Sequence, residues 1–320
     1  MNLLASFRYL VALNEHRHFA RAAQSCNITQ PALSNALRAL EKEFGIAIVR
    51  RGRTYAGLTT EGERVLAAAQ RMLHEHVLLQ QDLAGSAEQP HGQLQLGVVP
   101  TAVPIASRFA ARIQAAYPGI APVVKSMSSQ AIEEGLENLS LDLALGFTGR
   151  LKSSGSLLAL PQYEEHYFLV RRCEGGSQPG EGLRRGLPMP WAEAASLPLC
   201  LLTPDMHNRS LVDSAFAQAG ATARPAIETN SVLTLALSVL SGDVCSVLPG
   251  ALVAALRSQP GLEARPMVSP EMVTPVGFIY LAAGQASRAL AAALAMAKDD
   301  GWLDDARRHS GASGPEGQAS

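Results

Sequence analysis

The sequence predicts an α-helical head carrying a helix-turn-helix and a wing, one long helix, and then a larger α/β portion. Three observations predict it. Residues 28–45, ITQPALSNALRALEKEFG, place Leu33, Leu37, Leu40 and Phe44 on one helical stripe and Gln30, Ser34, Asn35 and Arg38 on the other side. Residues 60–84 keep an apolar period for about seven turns. From residue 93 onward, strand-length apolar runs alternate with helix-like segments.

The head comes first. Residues 3–15 set Leu3, Phe7, Leu10, Val11 and Leu13 at mostly helical spacing, and the alanine-rich stretch 18–25 (Ala20, Ala22, Ala23) predicts a short helix that another can approach closely. Cys26, Asn27 and Ile28 make a turn. Thr29 is a suitable N-cap, and Pro31 falls in the first turn of the next helix, where its missing N–H costs little. Two short helices joined tightly, the second with a polar face, form a helix-turn-helix aimed at the major groove of duplex DNA. Gln and Asn suit adenine edges, Arg suits guanine, and Ser accepts either. The plain alternative is an amphipathic surface helix. The adjoining segment weighs against it: IVRRGRTYAGLTTEG reads as a small hairpin bearing Arg50, Arg51 and Arg53, three guanidiniums placed to grip phosphate.

Charge is divided in the same way. Residues 1–60 hold eight Arg and Lys against Glu15, Glu41 and Glu43, so the head is +5 while the whole chain is -1. A basic head on an acidic body fits a molecule that approaches a polyanion by one end.

The helix 60–84 has a possible capping box from Thr60 to Glu63, and Val65, Ala69, Met72, His76, Leu79 and Leu83 recur as a coiled-coil seam. No nearby segment is available to bury that seam, so the helix is expected to pair two copies. His76 reads as a partly exposed interface histidine rather than a metal ligand. Residues 85–92 have hinge composition.

Residues 93–101, 121–128 and 141–147 read as parallel strands separated by helices; 166–172, 197–203, 226–230 and 244–250 read as a second set, with helices near 209–218 and 231–241. Strand 274–282 and helix 288–298 return to the first set. Residues 173–190 read as a surface loop, and 309–320 as a disordered tail.

At this point the sequence resembles the LysR-type transcriptional regulators over almost its whole length. HFARAAQSCNITQPALSNALRALEKEFGIAIVRRGRTYAGLTTEG carries the family's phenylalanine and paired alanines, its Gln–Pro–Ala–Leu–Ser recognition start and its Leu–Thr–x–x–Gly wing exit at Leu58, Thr59 and Gly62. Cys26, Asn35 and Val49 depart from the family pattern. Asn35 matters most, because losing a guanidinium there changes base preference.

The resemblance implies a winged helix-turn-helix DNA-binding domain (1–59), a dimerisation linker helix (60–84), a hinge (85–92) and a two-lobed α/β, periplasmic-binding-protein-like effector domain (93–308). Lobe I would comprise 93–163 and 272–305, and lobe II 164–271, with crossovers near 162–165 and 268–273. DNA would be met by Thr29, Gln30, Pro31, Ser34, Asn35, Arg38, Arg50, Arg51 and Arg53. Expected partners are double-stranded DNA, a second copy in a homodimer or homotetramer, RNA polymerase and a small-molecule effector.

Ligands of α/β sheets collect beyond the carboxyl ends of strands, at helix N-termini. Thr101, Ser128 and Ser129 end strands in that relation, Thr203 faces them from the second lobe, and Phe147 and Thr148 add a wall and a hydroxyl. Each hydroxyl taken singly reads as a helix cap. Together they suit a carboxylate or another oxyanion, with Arg209 and His207 the second-lobe groups able to neutralise it.

Other classes fit less well. A periplasmic solute-binding protein predicts an export signal and no basic head. An enzyme predicts a motif such as GxSxG, HExxH, a P-loop or GxGxxG after a strand, and none occurs. Cys26, Cys173, Cys200 and Cys245 are scattered without CxxC, so no metal or cofactor is expected; Cys26 and Cys245 read as small buried hydrophobes. A two-thiol peroxide switch is disfavoured because residues 201–220 hold no cysteine. Asp299, Asp300, Asp304 and Asp305 read as solvated carboxylates. With no apolar run of eighteen residues and a charged N-terminal helix, the chain is expected in the cytoplasm and off the membrane.

Overall fold

The computed structural model describes residues 2–50, 52, 55–84, 90–151, 155–173, 182–282 and 286–311. The chain divides into two compact units, the first Met1–Gln89 with Asn138–Ser140 and the second Pro90–Glu137 with Leu141–Ser320.

In the first unit, helices α1 (Leu3–His16), α2 (Phe19–Ser25) and α3 (Gln30–Phe44) surround a core of Phe7, Leu10, Leu13, Ala22, Ala23, Leu33, Leu37 and Leu40. The turn between α2 and α3 works because Asn27 adopts φ 55°, a left-handed conformation that asparagine tolerates. Phe44 lies at the edge of the stripe and is 44% exposed, with its ring stacked parallel to Phe7 at 6.5 Å. Cys26 is half-buried. The wing base is an antiparallel bridge between Val49 and Leu58, supported by Arg50 N donating to Gly57 O at 3.0 Å.

Helix α4 (Thr60–Ala84) departs from expectation twice. Its cap is Thr59: the Thr59 hydroxyl accepts from Gly62 N at 2.9 Å, so the cap lies one residue before the box read from Thr60 to Glu63, and the residue that would close a box from Thr59 is Gly62, which has no side chain to do so. The seam is also divided. Ala69 is fully buried in the head core with Val65 packed against that core, because α1 lies alongside; Met72 and Leu79 remain 50% and 57% exposed.

In the second unit, β1 (Gly92–Val98), α5 (Val103–Ala116), β2 (Ile120–Ser126), α6 (Ser129–Glu137) and β3 (Leu143–Phe147) build a parallel sheet, order β2-β1-β3. The residues after β1 leave the sheet early, as a 3-10 turn over Pro100–Ala102 that leads into α5. Strand β4 (Leu157–Arg172) is more than twice the expected length, since Pro161 and the polar run Gln162–Glu165 separate its apolar start Leu157–Leu160 from the stretch read as a strand.

The second lobe comes next in the chain: β5 (Arg184–Arg185), β6 (Met189–Pro190), α7 (Trp191–Ala194), β7 (Cys200–Leu202), α8 (His207–Gln218), β8 (Ile227–Thr229), α9 (Val232–Ser241), β9 (Ser246–Pro249), α10 (Gly250–Ala255) and β10 (Leu262–Val268). Two short strands therefore lie inside the stretch read as a loop, both paired with β10. β10 itself went unread, because Glu263, Arg265 and Pro266 interrupt its apolar run.

Strand β11 (Val273–Leu281) then returns, antiparallel to both β3 and β4. β4 pairs with β11 over residues 157–166, and beyond that with β9 and β10. One strand thus carries the chain from a core around Phe109, Leu145 and Phe278 to cores around Trp191 and Leu248.

Helices α11 (Arg288–Met296) and α12 (Asp300–His309) close the first lobe. The acidic residues around α12 stay largely in solvent as expected, with the Asp299 and Asp304 side chains 52% and 67% exposed and Asp305 half-buried. Asp299 caps the helix by accepting from Trp302 N at 2.9 Å and pairs with Arg112 at 2.8 Å, while Asp305 faces His309 at 3.2 Å. Trp302 is fully buried and donates its indole N–H to Gln162. The expected tail begins inside this fold, since His309 ends α12 and Ser310 is fully buried; residues 312–320 of that tail and 85–89 of the expected hinge lie outside the described residues. No helix among the described residues is long and apolar enough to cross a membrane.

Candidate nucleic-acid interface and effector cleft

On α3, the Thr29 hydroxyl accepts from Ala32 N at 3.4 Å, and Pro31 occupies the first turn. Burial of Leu33, Leu37 and Leu40 turns Gln30, Pro31, Asn35 and Arg38 outward, with Ser34 half-buried. Arg38 donates to Asn35 Oδ1 at 3.1 Å, so the two polar side chains hold each other in place on the open face.

The sequence reading missed Glu41. Its carboxylate accepts from Ile48 N at 2.8 Å and Val49 N at 3.1 Å, which fixes the wing base against α3. Between them lies an open groove of about 320 Å³ lined by Ser34, Arg38, Glu41, Val49, Arg50 and Gly52 among others. Arg50 and Arg38 therefore face one cavity. Arg51 and Arg53 lie outside the described residues.

In the second unit, a small cavity is lined by Val99, Pro100, Thr101, Ser128, Ser129, Phe147, Leu202, Met206, His207 and Asn208. It gathers the ends of β1, β3 and β7 and the N-termini of α6 and α8. The hydroxyls of Thr101 and Ser129, and that of Thr203 just after β7, are buried without a hydrogen-bond partner. Such groups cost free energy unless something bonds them. Its volume of about 10 Å³ holds roughly one water.

Other predicted residues have different employment. Ser128 caps α6, accepting from Ala131 N at 3.2 Å, and the Thr148 hydroxyl donates to Pro275 O at 3.3 Å. Phe147 forms a wall, its ring edge-on to His207 at 5.2 Å.

Arg209 must be corrected. It is 8% exposed, and its guanidinium donates to Asp213, to Glu228 at 2.7 Å and to Leu202 O. Burial pulls its pKa down, but the Glu228 and Asp213 bonds outweigh that and hold it charged. Its charge is already neutralised, so it is a strut of the second lobe rather than a receptor for an anion.

Arg150, which the sequence reading passed over, stands beside the cavity-lining His207. It lies 3.2 Å from Glu133 and 3.2 Å from His207 Nδ1, linking the first lobe to α8. Burial, and next the Arg150 charge, lower the His207 pKa, so the ring is neutral at pH 7. Burial pushes the thiols of Cys200 and Cys245 up, the opposite of what a reactive cysteine needs.

Comparison with known proteins agrees with both halves. Residues 4–63 match the bacterial regulatory helix-turn-helix protein, lysR family, and residues 87–302 match the LysR substrate binding domain. The hydrogen peroxide-inducible genes activator of Haemophilus influenzae is 26% identical over 287 residues, covering 87% of this chain and 90% of that protein. The SDS degradation transcriptional activation protein of Pseudomonas sp. (strain ATCC 19151) is 30% identical over 258 residues, 79% of this chain and 81% of that protein. A full-length OxyR variant from Pseudomonas aeruginosa shares the fold, with TM-score 0.67 and 24% identity over 98% of this chain and 100% of that one. The chain belongs to the LysR family of bacterial DNA-binding transcriptional regulators.

Proposed function

We propose that this regulator reads its operator with Thr29, Gln30, Pro31, Ser34, Asn35 and Arg38, grips the flanking phosphates with Arg50, Arg51 and Arg53, and answers to a small oxyanion in the cleft. The observation that carries the effector reading is the set of orphaned hydroxyls of Thr101, Ser129 and Thr203 beside two helix N-termini. Phe147 supplies an apolar wall, Arg150 a cation at the rim, and Ser128 and Thr148 support the strand ends.

The cavity is too small for a carboxylate of several atoms, so the effector selects a more open lobe arrangement. That difference in affinity is what couples occupancy to the DNA-binding head. Copies pair through α4 into a homodimer and further into a homotetramer, in the cytoplasm, where RNA polymerase is the onward partner. Half-sites then lie one helical turn, about 34 Å, or a multiple of it apart.

Relatives named as hydrogen peroxide-inducible genes activators raise the alternative of a response to peroxide, which in this chain would have to run through a cysteine. Residues 201–220 hold no cysteine and the adjacent Cys200 is buried, which favours the oxyanion. Gel retardation on the duplex upstream of this chain's own gene, beside random duplex at physiological salt, tests the DNA half; equal affinity would overturn it. A thermal-shift series with small carboxylates and inorganic anions tests the effector half. Stabilisation by one class is expected, and none from either would remove the oxyanion.

A further inference from the structure

Tyr163, Glu165 and Tyr167 alternate on one face of β4, and Thr274 of β11 lies directly opposite Glu165. Glu165 is 0% exposed, and neither of its carboxyl oxygens has a hydrogen-bond partner. The Tyr163 hydroxyl is likewise buried and unpartnered. Tyr167 shares a 3.2 Å hydrogen bond with Thr274 and accepts from Asn208 Nδ2 at 3.4 Å, and Asn208 lines the cleft. Tyr163 packs in the first-lobe core and Tyr167 in the second. Glu165 stands between them, next to the point where β4 exchanges β11 for β9 and β10.

A bare carboxylate at that depth is untenable, so the group keeps its proton. Burial pushes its pKa from 4.5 to about 8, with no charged neighbour contributing. Tyr163 and Tyr167 stay neutral, raised by burial and then by Glu165. Most charged side chains on the elements packed against β4 have other partners: on β10, Glu263 pairs with Arg171 and Arg184, and Arg265 donates to Leu187 O. α9 and α10, which pack on β4, carry no titratable side chain. On α8, His207 turns to Phe147 and Arg150, and Arg209 to Asp213 and Glu228. On α6, Glu133 pairs with Arg150, and Glu134 accepts from Gln130. On α12, Asp305 faces His309, and Asp304 faces Arg307.

We propose that Glu165 is a proton switch in the hinge between the lobes: the closed arrangement holds it as a neutral acid, and parting the lobes admits water, ionises it and releases one proton to solvent. This rests on the effector reading of the cleft, and adds that opening is proton-coupled. The sign comes from linkage. Below about 4.5 the acid is neutral in both arrangements and opening is independent of pH; between about 4.5 and about 8 opening grows roughly tenfold per pH unit; above about 8 it levels off.

Hydrogen–deuterium exchange of the full-length protein from about pH 6.5 to about pH 9, corrected for intrinsic exchange, reads this opening at β4 and β11. His207 is lowered from its ordinary 6.5 by burial and then by Arg150, so any slope of its own fades from the acid end of that window and does not extend toward pH 8. We expect opening of the 160–170 and 272–281 peptides to rise about tenfold per unit toward pH 8 and then flatten, and Glu165→Gln to abolish the slope. A flat wild-type profile, a slope retained in Glu165→Gln, or an equal slope in every peptide would each overturn the switch. Should the variant not fold, the wild-type profile alone decides. No effector is present, so a flat profile leaves the effector reading standing, and an absent effector response leaves the switch standing.

Discussion

Thr101 carries a hydroxyl 1% exposed and without a partner, which a protein retains at a cost only where something else uses the group. Thr101→Val keeps the shape and deletes the orphan. Thermal unfolding without effector should show a gain of about 1 kcal/mol, and calorimetry should show weaker binding of any stabilising anion. A less stable variant would mean that the hydroxyl is satisfied. On α3 and the wing the outcomes separate by chemistry. Arg50→Ala should weaken all sequences alike and lower the salt slope by about one, whereas Ser34→Ala should erode discrimination by ~1–3 kcal/mol; gel retardation at several salt concentrations checks both. The placement of Thr101, Ser129 and Thr203 was legible because strand ends beside helix starts are visible in sequence, whereas their lack of a hydrogen-bond partner was not. Arg209 was misread although Asp213 stands four residues on, because Glu228 comes from a distant strand. Glu165 was invisible: in a polar run such as PQYEEH, nothing local marks which carboxyl is buried.

The junction of wing and α4 is set by a close approach at Gly62. A Cβ there would sit 2.1 Å from the backbone oxygen of Ile48, while Thr59 N donates to that same oxygen at 2.9 Å. Gly62→Ala should therefore cost roughly 1–3 kcal/mol in the unfolding of the full-length protein, by forcing backbone apart. A neutral substitution would show that the junction can yield. Helices were read well because their apolar stripes recur within a few residues. β4 and β10 were not, since a strand shared by two lobes alternates for one core and then for another. Its Pro161 and β10's Pro266 break the pattern that identifies strands.

At the scale of the whole molecule, the exposed apolar side chains of α4 are what remains after the head has taken Val65 and Ala69 for its own core. Leu79→Glu should shift sedimentation from a paired species to a single chain and weaken DNA binding steeply, since each copy would then hold one half-site. Unchanged sedimentation would locate the pairing elsewhere. The two-lobed plan came from the family motif in the head rather than from the strands: eight of them were placed from the sequence, β4 over only part of its length, while β5, β6 and β10 went unread. The two indoles have a practical consequence. Trp302 sits in one lobe core and Trp191 in the other, and the sequence contains only these two. Each lobe thus carries its own fluorophore, and replacing either tryptophan by phenylalanine leaves a single-site emission spectrum that follows one lobe alone.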